Sequence, residues 1–348
     1  IDLDKNKKQY FRKTILVTGG AGSIGSEIVR QLLNFSPKEI ILFDNNENSL
    51  FNIKKELENK KSKTNFHYLL KSVTDLNSVE FCFSNFKVDV VFHAAAYKHV
   101  YMTENMPQAT ILNNIMGTKN IIDFAIEKGV STFVFVSTDK AVNPTNIMGA
   151  TKRIAEMYVS SVSSKNKTKI ITTRFGNVLG SNGSVVPIFQ SQIAKGGPIT
   201  VTHPEVTRFF MTITEACQLV LEAGATGKHG EIYVFDMGKP VKIIDLAINM
   251  IRLSGLIENQ DIEIKFTGLN DGEKLYEELL TDQENLKKSH NKLIFIADKQ
   301  KIETRLKTLI LQLIADASNS KSTNLLVSSM MDIVPEFNST NSNYKVIK

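Results

Sequence analysis

The sequence predicts an α/β protein: a doubly wound parallel sheet followed by a smaller C-terminal substrate lobe. Three observations carry this. Up to about residue 175, short β-rich runs alternate with helical stretches. The β-rich runs are apolar throughout, as expected of strands buried on both faces. Beyond residue 176 the alternation gives way to Gly- and Pro-containing loops at 176–183, 196–198, 238–240 and 268–272. At 348 residues the chain is long enough for one large domain or two intimately joined ones.

The strands expected in order are Thr14–Thr18, Glu39–Phe43, Phe66–Leu70, Asp89–Phe92, Thr132–Val136 and Lys169–Thr173. The intervening helices are expected at Ile24–Asn34, Glu47–Lys60, Leu76–Ser84, Gln108–Lys128 and Ala150–Ser163. Residues 1–176 form the first domain, and 209–236 are expected to return to it. Residues 177–208 and 237–348 supply the lobe and a tail. The last thirty residues, Ser/Asn-rich with an apolar patch at Leu325–Val334, are expected to pack only partly.

Hydrophobic residues at 42% and charged residues at 22% describe an ordinary globular chain. No apolar run reaches the ~18 to 20 residues of a membrane helix. The expected location is the cytoplasm. Because the chain opens on Ile1, a membrane anchor outside it stays open. Cys82 and Cys217 cannot build a disulfide framework or a zinc site, and the six histidines lack metal-ligand spacing, so no metal is expected. The charge of +6 lies largely in Lys/Asn/Ser runs such as Lys5–Lys8, read as solvated loops and helix ends. No aromatic interleaving points to nucleic acid; an anionic small ligand fits the balance as well.

The first strand runs into Gly19-Gly20-Ala21-Gly22-Ser23-Ile24-Gly25, which satisfies the dinucleotide fingerprint in two registers. The early glycines allow the strand-to-helix turn, Gly22 lets backbone amides approach a pyrophosphate, and Gly25 lets the helix sit close on the strand. The free N–H groups at the helix start, at Ser23, Ile24 and Gly25, then hold the anion. Asp44 ends the second strand at the distance expected of the acid that takes an adenosine ribose. Asn45 and Asn46 follow it, with no Arg to receive a 2′-phosphate, so NAD is favoured over NADP. Asp75, in Ser72-Val-Thr-Asp75, either caps the adenine or serves as a helix N-cap.

Strand five ends in Ser137-Thr138-Asp139-Lys140, and Met148-Gly-Ala-Thr-Lys152 follows. Together with His93-Ala-Ala-Ala-Tyr-Lys-His99, Asn114-x-x-Gly117, Arg174-Phe-Gly-Asn177, Thr200-Val-Thr-His-Pro204, Arg208-Phe-Phe-Met-Thr212 and Gly272-Glu-Lys-Leu-Tyr-Glu-Glu278, these stretches resemble the extended short-chain dehydrogenase/reductases. Within them the chain is similar to bacterial nucleotide-sugar 4,6-dehydratases acting on UDP-N-acetylglucosamine for polysaccharide and glycoprotein sugars. The matches run from about residue 13 to 280.

The resemblance implies a Rossmann-type fold, NAD as cofactor, UDP-N-acetylglucosamine as substrate and a homo-oligomer. It makes Asp139 the acid at the C6 hydroxyl, Lys140 the C5 base and Lys152 the nicotinamide-ribose lysine. Ala94 and Ala95 are further cofactor contacts. Asn177 and Arg208 would hold the substrate diphosphate, with Arg252 a third possible phosphate ligand. Glu273 would take the uridine ribose, and Lys98 and His99 the sugar. Where the superfamily reads Tyr-x-x-x-Lys this chain reads Met148-x-x-x-Lys152, and methionine cannot transfer a proton. Thr138 and Asp139 are the groups left to relay the 4-hydroxyl proton, in a reaction that retains configuration at C5. A UDP-sugar 4-epimerase, a dehydratase that also epimerises C5, and a non-catalytic NAD-binding sensor or scaffold stay open.

Overall fold

The computed structural model describes residues 2–163, 167–278, 286–297 and 304–344. Its first half alternates as the apolar runs predict. Helix α1 (Leu3–Tyr10) precedes β1 (Thr14–Thr18), α2 (Ser23–Leu32), β2 (Glu39–Asp44), α3 (Glu47–Glu58), β3 (Asn65–Leu70), α4 (Leu76–Asn85) and β4 (Val90–His93). Short helices α5 (Val100–Asn105) and α6 (Pro107–Ile111), a π-helical turn over Leu112–Met116 and α7 (Gly117–Glu127) lead to β5 (Thr132–Val136). Helix α8 (Ile147–Ser163) and β6 (Lys169–Arg174) close this half. The single helix expected over Gln108–Lys128 is thus interrupted. Three of the five π-turn residues, Asn113, Asn114 and Ile115, are buried, and the Asn114 amide reaches backbone and side-chain partners outside its own helix.

The second half adds β7 (Asn177–Leu179), α9 (Val185–Ala194), β8 (Ile199–Val201), β9 (Thr207–Arg208), β10 (Phe210–Thr212), α10 (Ile213–Thr226) and β11 (Ile232–Phe235). Then come β12 (Val241–Lys242), α11 (Ile243–Leu253), β13 (Ile264–Phe266), β14 (Leu286–Lys288), β15 (Ile294–Ala297), α12 (Thr304–Ser318) and α13 (Thr323–Ile333).

One nine-stranded sheet runs β14-β15-β11-β6-β5-β4-β1-β2-β3, parallel from β11 to β3 and antiparallel where β15 and β14 join. The order reverses between β1 and β4, so their C-terminal ends open the crevice in which doubly wound folds bind ligands. Successive β1 residues point to opposite faces. Leu16 packs into one core with α4, α7 and α8, whereas Ile15 and Val17 face a second core with α2, α3 and α10. A small separate core of Phe189, Ile199, Val201, Val206, Ile243, Ala247, Ile251 and Ile262 holds the lobe.

Three parts of the chain differ from expectation. The Lys5–Lys8 run is helical: Asp2 caps α1, and Asn6 and Tyr10 are buried beneath its lysines. Strands β14 and β15 rejoin the main sheet rather than remaining in the lobe. The C-terminal segment is also more than a partly packed tail. Leu326, Val327, Met330, Ile333 and Phe337 are fully buried in the core beneath α8, so the apolar patch covers a sheet-flanking layer that would otherwise face water. Among the described residues no helix is long and apolar enough to cross a membrane.

Candidate active site

At the nucleotide end, the turn after β1 is set by backbone. Gly19 sits at φ +64°, and a Cβ at Gly25 would collide with the Gly19 carbonyl, so α2 lies close on the strand only because Gly25 lacks a side chain. Asn46 and Asp75 cap α3 and α4 with their side chains, but Gly22 at the start of α2 supplies none. The first N–H groups of α2 are therefore left without a side-chain cap. Asp44 ties the glycine turn to the start of α3: Oδ2 accepts from the Ala21 N–H (3.0 Å) and Oδ1 from the Asn46 N–H (2.9 Å). Asn45 lies between these anchors. Ala94 and Ala95 follow β4 and pack against Gly19. Asp75 is engaged as the α4 N-cap, accepting from the Asn77 N–H and the Ser78 hydroxyl, which lowers its pKa; the capping alternative describes its position.

At the catalytic end, Thr138, Asp139 and Lys140 occupy a short turn after β5. Asp139, 1% exposed, accepts at Oδ1 from the Thr138 hydroxyl (2.8 Å) and from Lys140 Nζ (3.0 Å). Its Oδ2 is buried with no hydrogen-bond partner among the described residues. Burial opposes the Lys140 charge, but the carboxylates of Asp139 and Glu277 outweigh it and raise the lysine's pKa. The start of α8 rests directly on this turn, because a Cβ at Gly149 would strike the Lys140 carbonyl.

Met148 is buried in the first turn of α8, one turn from Lys152. Lys152 donates to the Val136 carbonyl (2.8 Å) and lies 4.1 Å from the Phe135 ring centroid; burial depresses its pKa to about 7. His93, between the Thr18 and Thr118 hydroxyls, is driven to about 3 by burial and by Lys152, so it is a neutral strut rather than a titrating acid. Farther along α8, the Glu156 carboxylate takes two hydrogen bonds from buried Arg174 (2.8 and 2.7 Å), tying the helix to β6.

The lobe residues divide. Asn177 accepts from Lys140 Nζ (2.9 Å), which joins β7 to the turn. Arg208 pairs with Glu273 (3.1 Å). Both therefore converge on the catalytic end. Lys98 reaches the Ser181 hydroxyl (3.3 Å), and His99 packs on Gly183, so these two meet the 180–184 loop. That loop also touches the glycine turn through the Asn182 N–H and the Ser23 hydroxyl (3.1 Å). Arg252 is exposed on α11 and pairs with Glu258 (3.4 Å), so its polar contacts do not join it to the cluster.

Sequence reasoning missed Glu277. Its side chain, 5% exposed, lies 3.6 Å from Lys140 Nζ and 3.8 Å from Arg208 Nε. The stretch Gly272-Glu-Lys-Leu-Tyr-Glu-Glu278 was conspicuous, yet nothing in its spacing separates Glu277 from exposed Glu278. Among the described residues no cluster of His, Cys, Asp and Glu could hold a metal.

A model of the polysaccharide biosynthesis protein family matches residues 15–299. The chain belongs to that family. This member is 54% identical over 286 residues to the capsular polysaccharide biosynthesis protein CapD of Staphylococcus aureus, covering 82% of this chain and 48% of CapD. It therefore spans about half the length of that curated relative. It is 35% identical over 285 residues to a UDP-glucose 4-epimerase of Rickettsia rickettsii, with 80% of each chain covered. The solved structure of Pen from Bacillus thuringiensis superposes with a TM-score of 0.76 at 34% identity, over 87% of this chain and 98% of Pen. The extended short-chain dehydrogenase/reductase resemblance thus holds for family and fold.

Proposed function

We propose that this family member is an NAD-dependent hydro-lyase that converts UDP-N-acetylglucosamine to its 4-keto-6-deoxy sugar with retention at C5. The observation that carries the reading is the Thr138–Asp139–Lys140 constellation, in which one buried carboxylate meets a hydroxyl and an ammonium and keeps a second oxygen unpartnered among the described residues. A 4-epimerisation has no use for an acid and a base side by side; loss of water across C5 and C6 needs both.

NAD fits the residues present. The uncapped α2 start suits its pyrophosphate, Asp44 a ribose, and buried Lys152 the nicotinamide ribose. When bound, NAD supplies the reversible oxidation at C4 and the matching reduction at C6. The side chains manage the protons. The 4-hydroxyl proton passes through Thr138 to Asp139, Lys140 takes the C5 proton, Asp139 protonates the departing C6 oxygen, and Lys140 returns its proton to C5. This cycle starts with both groups unprotonated, so the proton that Lys140 holds at rest must first pass to solvent, which its partly exposed side chain can reach. Asn177, by accepting from Nζ, keeps the amine aimed. Arg208 offers the cationic fork for the diphosphate, in competition with Glu273.

The second reading, a UDP-sugar 4-epimerase, is favoured by the similarity to the rickettsial epimerase. Mass spectrometry after incubation with UDP-N-acetylglucosamine separates the two. The dehydratase gives a product lighter by one water, the epimerase an isomer of unchanged mass, and a sensor or scaffold no product.

A further inference from the structure

Five buried or nearly buried side chains alternate in charge across the catalytic end. Glu273 meets Arg208 at 3.1 Å, Arg208 meets Glu277 at 3.8 Å, Glu277 meets Lys140 at 3.6 Å, and Lys140 meets Asp139 at 3.0 Å. Glu277 is the middle member, and no step of the proposed chemistry uses it. We infer that Glu277 is a positioning residue that sets the proton state of the Asp139–Lys140 pair and links it electrostatically to Arg208, an inference that rests on the dehydratase reading.

The geometry gives Glu277 this leverage. Lys140 is faced by Asp139 from its own turn, by the neutral amide of Asn177 from β7, by Arg208 from β9, and by Glu277 from the segment after β13. Asp139 and Glu277 favour the ammonium, and Arg208 disfavours it. Without Glu277 the lysine would have one carboxylate partner and a guanidinium opposing its charge. A proton would then bind the pair less tightly, and the amine needed at C5 would form at lower pH. Glu277 also approaches Arg208 at Nε, while Glu273 takes Nη2. Diphosphate capture at Arg208 and proton uptake at Lys140 therefore act on the same carboxylate.

The test compares the parent protein with Glu277→Gln, which keeps the shape and removes the charge, and with Glu277→Asp, which keeps the charge and withdraws it. Lys140 acetylation by acetic anhydride at fixed pH, quantified by mass spectrometry against exposed Lys61, reads the neutral fraction without requiring turnover. Glu277→Gln should label Lys140 about tenfold faster, corresponding to a downward pKa shift on the order of one unit. The acid limb of the rate–pH profile should move to lower pH by a similar amount. Glu277→Asp should shift in the same direction by less, and it decides the matter if the Gln variant does not fold. Unchanged or slower labelling in the folded variants overturns the inference. If the parent protein yields no dehydrated product, the dehydratase reading fails while the labelling arm still reports whether Glu277 controls the Lys140 proton.

Discussion

The nucleotide end and the catalytic end of the crevice lie on the same edge of one sheet but are built differently. The first is mostly backbone: a tight turn at Gly19, a close approach at Gly25 and N–H groups tied by Asp44. The second is mostly side chain, with charges drawn from the β5 turn, β9 and the segment after β13, and a neutral amide from β7. Backbone sites tolerate little change in shape, because a misplaced Cβ has nowhere to go. Side-chain sites tolerate changes in shape better than changes in charge, because burial makes each ionic partner costly to lose. Substitutions at the two ends should therefore fail in different ways.

The largest expected effect is at the catalytic end. Asp139→Asn keeps the shape and removes the carboxylate, so under the proposed dehydratase reading turnover of UDP-N-acetylglucosamine should fall by roughly 10²- to 10⁴-fold. Dinucleotide affinity measured by calorimetry should stay within a few-fold. A parallel collapse of affinity would erase the distinction between the ends. At the nucleotide end, Gly25→Ala should cost about 1–3 kcal/mol of stability and also weaken NAD binding, because α2 must lift from the Gly19 carbonyl. Chemical denaturation alongside calorimetry would detect both losses; a stable variant with normal affinity would contradict the close-packing account.

Lys152 is buried against β5, and pH reveals it. Burial lowers its pKa to about 7, against an ordinary value of 10.5 in the unfolded chain. Between those values the unfolded chain binds the extra proton, so this group's contribution to stability rises with pH; below 7 its penalty is complete. Lys152→Met should therefore stabilise the cofactor-free protein, by roughly 2–5 kcal/mol below pH 7, with the gain vanishing as pH approaches 10.5. Thermal unfolding at a series of pH values tests this, and a pH-independent gain would remove titration as its cause.

Smaller effects sharpen the contrast. Asp44→Ala removes the charged acceptor for the Ala21 N–H and the proposed acceptor for a ribose, and should narrow the NAD over NADP preference by about ten- to a hundredfold. An unchanged preference in paired binding titrations would dismiss Asp44 as the discriminator. Met148→Tyr should be the mildest change. If, as proposed, Asp139 serves the 4-hydroxyl proton, the added phenol should alter steady-state turnover by less than about threefold; a gain of ten or more would mean that the Thr138–Asp139 relay is not the working route.

The parallel strands, the glycine turn and the place of Asp44 at the end of β2 were legible in the sequence because each is specified by neighbours within a few residues, whereas Thr138–Lys140 stood out by family resemblance. A strand buried on both faces must be apolar throughout, and a strand-to-helix turn this tight must carry glycine. Local reading was weakest where a residue's meaning depends on distant partners. Lys5–Lys8 reads as solvated charge until Asn6 and Tyr10 are seen buried on the other side of the same helix. The patch at Leu325–Val334 reads as a loose tail until its side chains enter the core beneath α8. Arg252 is, by sequence, a further candidate phosphate ligand beside Arg208, but only Arg208 is carried into the charged cluster. Glu277 and Glu278 are adjacent and chemically identical, and the tertiary structure alone decides that Glu277 turns inward, to within 4 Å of both Lys140 and Arg208, while Glu278 stays at the surface. The physical reason is range: backbone conformation is set by the nearest residues along the chain, whereas the energy of a buried charge is set by whatever the fold places beside it.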